Sequence, residues 1–365
     1  MLVISSFSCL SVVSFAATVD SGVERDDLGN ITATYWELDD TGTLTIYSDS
    51  TPTWLDHAAE IKKVVLEAGV TGIPENAFRD CVNLTEIDVT KAIYDLKKIG
   101  AYAFAETAIV SIELPFVSSI GEYAFYGCTS LKTVDLGKSL SIVDDNAFKN
   151  CTALETVKMG IGTKVIGYGM FENCSSLVNI DLPDSIEKIG GHAFENCTSL
   201  KEANIPDSVE EVGSYAYYGC TAITSAVLGH KLASVGEYIF GRCTSLETVT
   251  FRTDEDIICD WMFYGCSSLK TIVDFPESAK TIGKHAFEGC AEITSITIPN
   301  TITKIDNYAF ADCVGLTSIS LPKALEVIGE YAFYGAGFKE IAIPYGVSTI
   351  GNGAFTACAS LTAIN

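Results

Sequence analysis

The chain has 365 residues, 48% of them hydrophobic, and its 47 acidic against 23 basic side chains give a formal charge of −24. Such a charge repels nucleic acid and anionic membrane surfaces and excludes both as partners. Length alone would divide the chain into two or three domains, but internal repetition overrides that division.

The N-terminus, MLVISSFSCLSVVSFAATVD, is apolar and ends in small residues, with Ser14-Phe15-Ala16 and Phe15-Ala16-Ala17 as cleavage tripeptides. Residues 1–17 read as a secretory leader, although a basic start is missing; the competing reading is a buried first strand. The stretch is too short for a transmembrane helix. No second long apolar run follows, so the mature chain is expected outside the cytoplasm, extracellular or at the cell surface, with no transmembrane helix. Cys9 follows Ser6-Phe7-Ser8, a poor context for lipid attachment.

Residues 18–60 read as a β capping module. Within them, Trp36 to Ile46 alternates around Asp40-Thr41-Gly42, the pattern of a hairpin. That tripeptide also matches the aspartic-protease motif, but Asp and Gly are what a tight turn requires, and the turn is the reading adopted.

From residue 61 to the end one phrase recurs. An aromatic anchor falls at Phe78, Phe104, Phe125, Phe148, Phe171, Phe194, Tyr217, Phe240, Phe263, Phe287, Phe310, Phe333 and Phe355, mostly 23 residues apart. Three residues after it stands Cys in eleven repeats, replaced by Thr107 and Ala336 in two shortened ones. Leu or Ile follows six residues after the anchor, Ile or Val often at nine, and an aliphatic residue or Met often at eleven, then often Pro, then Ile-Gly before the next anchor. In LVNIDLP, Ile180 and Leu182 point to one face of a short strand. Pro183 ends its ladder, and Gly190 permits a bend. A single coil cannot bury its own apolar edge; stacked coils bury it for each other, with strands pairing about 4.8 Å apart. The predicted fold is a right-handed superhelical solenoid of about thirteen coils with short parallel strands and an N-terminal β-hairpin cap, roughly 60 Å long at that spacing. The chain stops at Leu361-Thr362-Ala363-Ile364-Asn365 before that repeat's strand looks complete, so a continuation is expected.

The spacing L-x-x-I-x-L-P…I-G-x-x-A-F-x-x-C resembles the BspA-like leucine-rich repeats, and the segment before it resembles the short module that often precedes them. The resemblance implies a surface or secreted protein that adheres to host or extracellular-matrix proteins or mediates cell–cell contact. The residues alone imply only binding.

The cysteine column accepts Thr and Ala, so it reads as a ladder of small, buried, free thiols, not as disulfides or a metal site: no C-x-x-C pair or nearby His set accompanies it. Cys259 lies outside the column and is the candidate reactive thiol. His192 and His285 share a column with Tyr102, Tyr123, Tyr215, Tyr238, Trp261, Tyr308 and Tyr331, a half-exposed aromatic shelf that is either a stacking ladder or a binding stripe. Asp254-Glu255-Asp256 with Asp260 lacks calcium-loop spacing and reads as a solvated run. No catalytic motif is present, and no catalytic residue, metal ligand or cofactor is assigned.

The candidate binding residues are the outward pairs of the strands, Thr133/Asp135, Thr156/Lys158, Asn179/Asp181, Glu202/Asn204 and Thr248/Thr250, together with Tyr215, Tyr238 and Trp261 of the shelf. They point to a non-enzymatic binding protein for an extended extracellular protein or glycan, host or matrix protein included. The alternative is a set of scaffold repeats serving an enzyme or cell-wall domain beyond Asn365.

Overall fold

The computed structural model describes residues 16–365. The expected leader, but for its last two residues, and Cys9 lie outside them. Strands β1 (Thr18–Arg25), β2 (Ile31–Asp39) and β3 (Thr43–Ile46) form an antiparallel meander. Leu38 and Leu44 face each other across β2 and β3 and are fully buried, as the alternation requires. β1 is not legible in the sequence, because TVDSGVER has no apolar alternation and none of it is buried. Asp39, not Asp40, holds the turn: its Oδ1 accepts the Thr41 and Thr43 amides at 2.9 Å and the Thr41 hydroxyl at 2.6 Å. Gly42 adopts φ 87° under the Glu60 carbonyl, which a Cβ would meet at 2.4 Å. The tripeptide is a turn.

β3 then pairs in parallel with β4 (Lys63–Leu66), the first strand of the coils, with Leu44 opposite Val64. Meander and solenoid therefore share one sheet. From there most coils lay down two short parallel strands; the coil that carries Cys259 lacks the second. In the first, Val134, Val157 and Ile180 sit in register, 23 residues apart, with their apolar side chains turned inward. In the second, Val165–Ile166, Lys188–Ile189, Glu211–Val212 and Ser234–Val235 pair likewise. The last strand, Ala363–Ile364, pairs with Glu340–Ile341, so the final repeat does reach its strand. Helix is nearly absent; a 3-10 turn spans Thr53–His57. The architecture is a leucine-rich-repeat solenoid of about fourteen turns.

The anchor rings form one buried column through the core. Successive centroids from Phe78 to Phe355 lie 5.0–5.9 Å apart with interplanar angles of at most 24°. The column gains a rung, 24 residues before Phe78, that lacks the Ala before the ring and the Cys after it. Trp54 stacks on Phe78 at 5.7 Å, donates its indole N–H to the Ala77 carbonyl at 2.8 Å, and meets Trp36 of β2 edge-on at 6.1 Å. The first coil's open face is thus covered by two tryptophans.

The cysteine column is a ladder of free, buried thiols. From Cys128 onward each S–H reaches back to the carbonyl of the preceding coil's anchor: Cys174 to Phe148 and Cys197 to Phe171 at 3.2 Å, Cys220 to Phe194 at 3.0 Å. A small side chain with a weak donor is what that slot takes, and Thr107 fills it by donating to Phe104's own carbonyl at 2.9 Å. Cys259 does not behave as a reactive thiol. Its Sγ donates to the Gly236 carbonyl at 3.1 Å, and burial pushes it up to about 12. It replaces the Gly of Ile-Gly, and its side chain turns inward where the others have none.

Candidate functional site

The turn that carries each anchor also carries two left-handed residues, one two positions before the ring and one two positions after. The later position holds mostly Asp80, Asn150, Asn173, Asn196, Asp312 and several glycines, at φ 56–75°, with Glu106, Arg242 and Ala357 as exceptions. Asp, Asn and Gly are the residues that tolerate this conformation. The earlier position is different. Tyr102, Tyr123, His192, Tyr215, Tyr238, Trp261, His285, Tyr308 and Tyr331 all adopt φ 52–62°, at a cost of about 1–2 kcal/mol each for a residue with a Cβ.

What offsets that cost is the stack. His192, Tyr215, Tyr238, Trp261, His285, Tyr308 and Tyr331 lie face to face, with centroids 3.5–5.1 Å apart and interplanar angles of 6–17°. Aromatic pairs contribute about 0.5–1.5 kcal/mol each beyond burial, and an interior ring has two partners. The shelf is therefore a stacking ladder whose ring faces are mostly covered by neighbours. Burial among these rings pushes Tyr238 up to about 12, so its hydroxyl stays a protonated donor at neutral pH.

The ladder backs a groove. Tyr218 and Tyr264, each one residue after an anchor, meet Tyr215, Tyr238 and Trp261 edge-on at 5.1–6.1 Å. With Asn196, Arg242, Glu288 and Asp312 and the hydroxyl-bearing Thr198, Thr221 and Thr244 they line an open groove of about 590 Å³. It crosses six successive coils. The Arg242 guanidinium lies 5.9 Å from the Tyr218 ring centroid. These lining residues escaped the sequence reading, although a recurring Tyr after the anchor, at Tyr126, Tyr218, Tyr264 and Tyr334, is visible there.

The structure places the strand residues on a separate stripe. Thr133, Thr156 and Asn179 align in register, as do Asp135 and Lys158, and Lys158 is bonded to Asp135 at 2.6 Å. Glu202 and Asn204 lie on a following strand segment and Thr248 and Thr250 on its neighbour but one. Asp181 falls just past the strand Asn179–Ile180 and is exposed. Elsewhere too, cations are taken up by the coil one repeat away, as in Lys164–Glu187 at 2.7 Å and Lys188–Glu211 at 2.9 Å. Asp254, Glu255 and Asp256 are exposed.

One constellation comes together that no local motif announces. Glu172, His192 and Glu195 offer two carboxylates and an imidazole nitrogen within 4.8 Å of one another. They come from two adjacent coils, so their convergence depends on the stacking.

A family model for the BspA type leucine rich repeat region matches residues 55–178, 164–292 and 280–365. No curated protein sequence matches the chain. Among solved structures, a leucine-rich repeat protein from Bacteroides ovatus is 24% identical, with 93% of this chain and 99% of that one covered and a TM-score of 0.67. One from Eubacterium ventriosum is 24% identical, covering 82% and 92%, at a TM-score of 0.51. A leucine rich cell surface protein from Faecalibacterium prausnitzii is 22% identical, covering 91% and 87%, at 0.52. Repeats of this kind are typically non-catalytic, and among the described residues no helix is long and apolar enough to cross a membrane. With its repeats matched from residue 55 to the last, the chain belongs to the BspA-type leucine-rich repeat family.

Proposed function

We propose that this chain is an extracellular, cell-surface adhesion protein that holds an extended protein or glycan ligand in the groove of its turn wall. The observation that carries the reading is the groove itself: Tyr218, Arg242 and Tyr264 present aromatic and cationic contact area along six coils, while Lys158, Lys164 and Lys188 are each paired with an acid one coil away. Tyr and Arg are the side chains that dominate binding energy at protein surfaces. Tyr215, Tyr238 and Trp261 act from behind, holding the groove tyrosines on edge. The family and the cell-surface relative support a surface location.

The ladder's covered ring faces favour a ligand that reads edges, hydroxyls and the guanidinium over one that needs a row of open aromatic faces. The strand stripe, with Thr133, Thr156, Asn179, Glu202, Asn204, Thr248 and Thr250, serves as the second contact surface, adding many weak polar contacts. The test is binding of the whole chain to arrays of matrix proteins and of glycans, repeated with Tyr218→Ala, Arg242→Ala and Tyr264→Ala combined. At about 2 kcal/mol per hot-spot residue, the triple variant is expected to lose at least about thirty-fold in affinity while remaining folded, with the circular dichroism of the wild type and only a modest fall in unfolding temperature from the lost edge-on ring contacts. Full affinity in the folded triple variant overturns the groove reading.

A further inference from the structure

The aromatic ladder has one break. Tyr102 and Tyr123 stack at 4.9 Å, the next two coils carry Asn146 and Gly169 in the same left-handed slot, and the column resumes at His192. Two missing rings leave a gap; the tilted Tyr168 ring takes the side next to His192, and oxygen atoms converge on the rest. A Cβ at Gly169 would lie 2.3 Å from Asn146 Oδ1 and 3.2 Å from Glu172 Oε2, so both oxygens converge on the volume that a side chain at 169 would take. Asn146 is only 5% exposed and its Oδ1 accepts no hydrogen bond, a costly state for a buried amide oxygen. Glu172 also belongs to a second grouping: its ligand atom and those of His192 and Glu195 lie within 4.8 Å of one another, all half-buried. His192 is held between Tyr168 and Tyr215, both at 5.0 Å.

The chain supplies its own control. His285 and Glu288 repeat the His192–Glu195 pair four coils on, in the same columns and with the same Nδ1-to-carboxylate contact. The coil before them carries Trp261 and Tyr264 where Gly169 and Glu172 stand. Trp261 covers His285 at 3.5 Å, so there is neither a gap nor a second carboxylate. Only at residues 146–195 do the break, the orphan oxygen and the paired acids coincide among the described residues.

We propose that Glu172, Glu195 and His192 Nδ1, with Asn146 Oδ1 beside them, bind a divalent first-row transition metal of the zinc class. One imidazole nitrogen with carboxylate oxygens is a donor set for such ions, and three protein ligands leave a position for water. Two carboxylates supply the charge. Lys149, whose Nζ now lies 2.7 Å from Glu172 Oε2, is the monovalent competitor, and its long stem lets it withdraw. This inference stands apart from the groove reading: the groove triple variant is expected to bind metal as the wild type does.

The experiment is calorimetric titration of the full reduced chain with Zn²⁺, with Mn²⁺ and Ca²⁺ in parallel, and thermal unfolding with and without metal. The expected result is one Zn²⁺ per chain and a metal-dependent rise in unfolding temperature. Glu172→Gln and His192→Gln should each weaken binding at least tenfold. Glu288→Gln should leave it unchanged, and Lys149→Met should tighten it. Co²⁺ provides a readout that needs no variant: oxygen and nitrogen ligation gives weak visible bands without the thiolate charge-transfer absorption of a cysteine site. No stoichiometric binding, binding indifferent to Glu172→Gln and His192→Gln, or a thiolate spectrum overturns the proposal.

Discussion

Phe194→Ala is expected to lower stability by about 3–5 kcal/mol, the usual cost of removing a buried aromatic ring. Phe194 is fully buried and stacked between Phe171 at 5.6 Å and Tyr217 at 5.1 Å. The location matters as much as the magnitude. In a solenoid each coil is stabilised by its two neighbours, so a cavity in the middle weakens both interfaces of one coil. Urea unfolding followed by circular dichroism should show an earlier and broader transition, with the two halves of the rod beginning to unfold separately. The matching change at the terminal rung, Phe355→Ala, should cost less, because that ring is half-buried and has one stacking partner. An unchanged midpoint for Phe194→Ala would remove the ring column as the source of cooperativity.

Alkaline pH should dissolve the rod through its thiols. In the unfolded chain cysteines lose their protons from about pH 8.5 upward. In the rod, burial pushes Cys81 up to about 12 and likewise holds Cys174, Cys197, Cys220, Cys243, Cys266, Cys290 and Cys313 well above the ordinary thiol range. Above pH 8.5, therefore, the unfolded state binds fewer protons than the folded one, and stability falls as pH rises. Each such thiol removes about 1.4 kcal/mol per pH unit, and the ladder multiplies that slope. Below pH 8 both states hold their thiol protons and the effect vanishes. The check is the urea midpoint at pH 7, 9 and 10 under reducing conditions, beside a Cys197→Ala/Cys220→Ala/Cys243→Ala variant whose decline should be shallower. Identical slopes would show that the ladder thiols are not buried as protonated groups. At pH 8 the same burial should keep them from alkylation until denaturant is added.

The sequence by itself determined the coil. Apolar residues at fixed distances from the anchor have no other way to leave water than against the same residues of the next coil, so period and parallel stacking follow from one argument. It also pointed to free cysteines, because Thr107 and Ala336 share their slot and neither forms a disulfide, and the structure leaves the column unbridged. Periodicity shows which columns stack. It does not show the backbone torsions within a turn, and there only the tertiary structure decided. Tyr215, Tyr238 and Trp261 are in left-handed turns, a conformation that side-chain identity argues against and only the neighbouring rings make tolerable. Trp54 joins the column at the repeat spacing but without the Ala and Cys that mark the other rungs, and β1 forms because β2 offers an edge to a segment with no apolar pattern of its own. Glu172 meets His192 because the stacking of coils sets one residue beside another about 20 positions away, and Asn146 and Gly169 leave the space for that meeting. Such contacts depend on the direction in which each turn points its side chains, and that direction is fixed by the coils above and below.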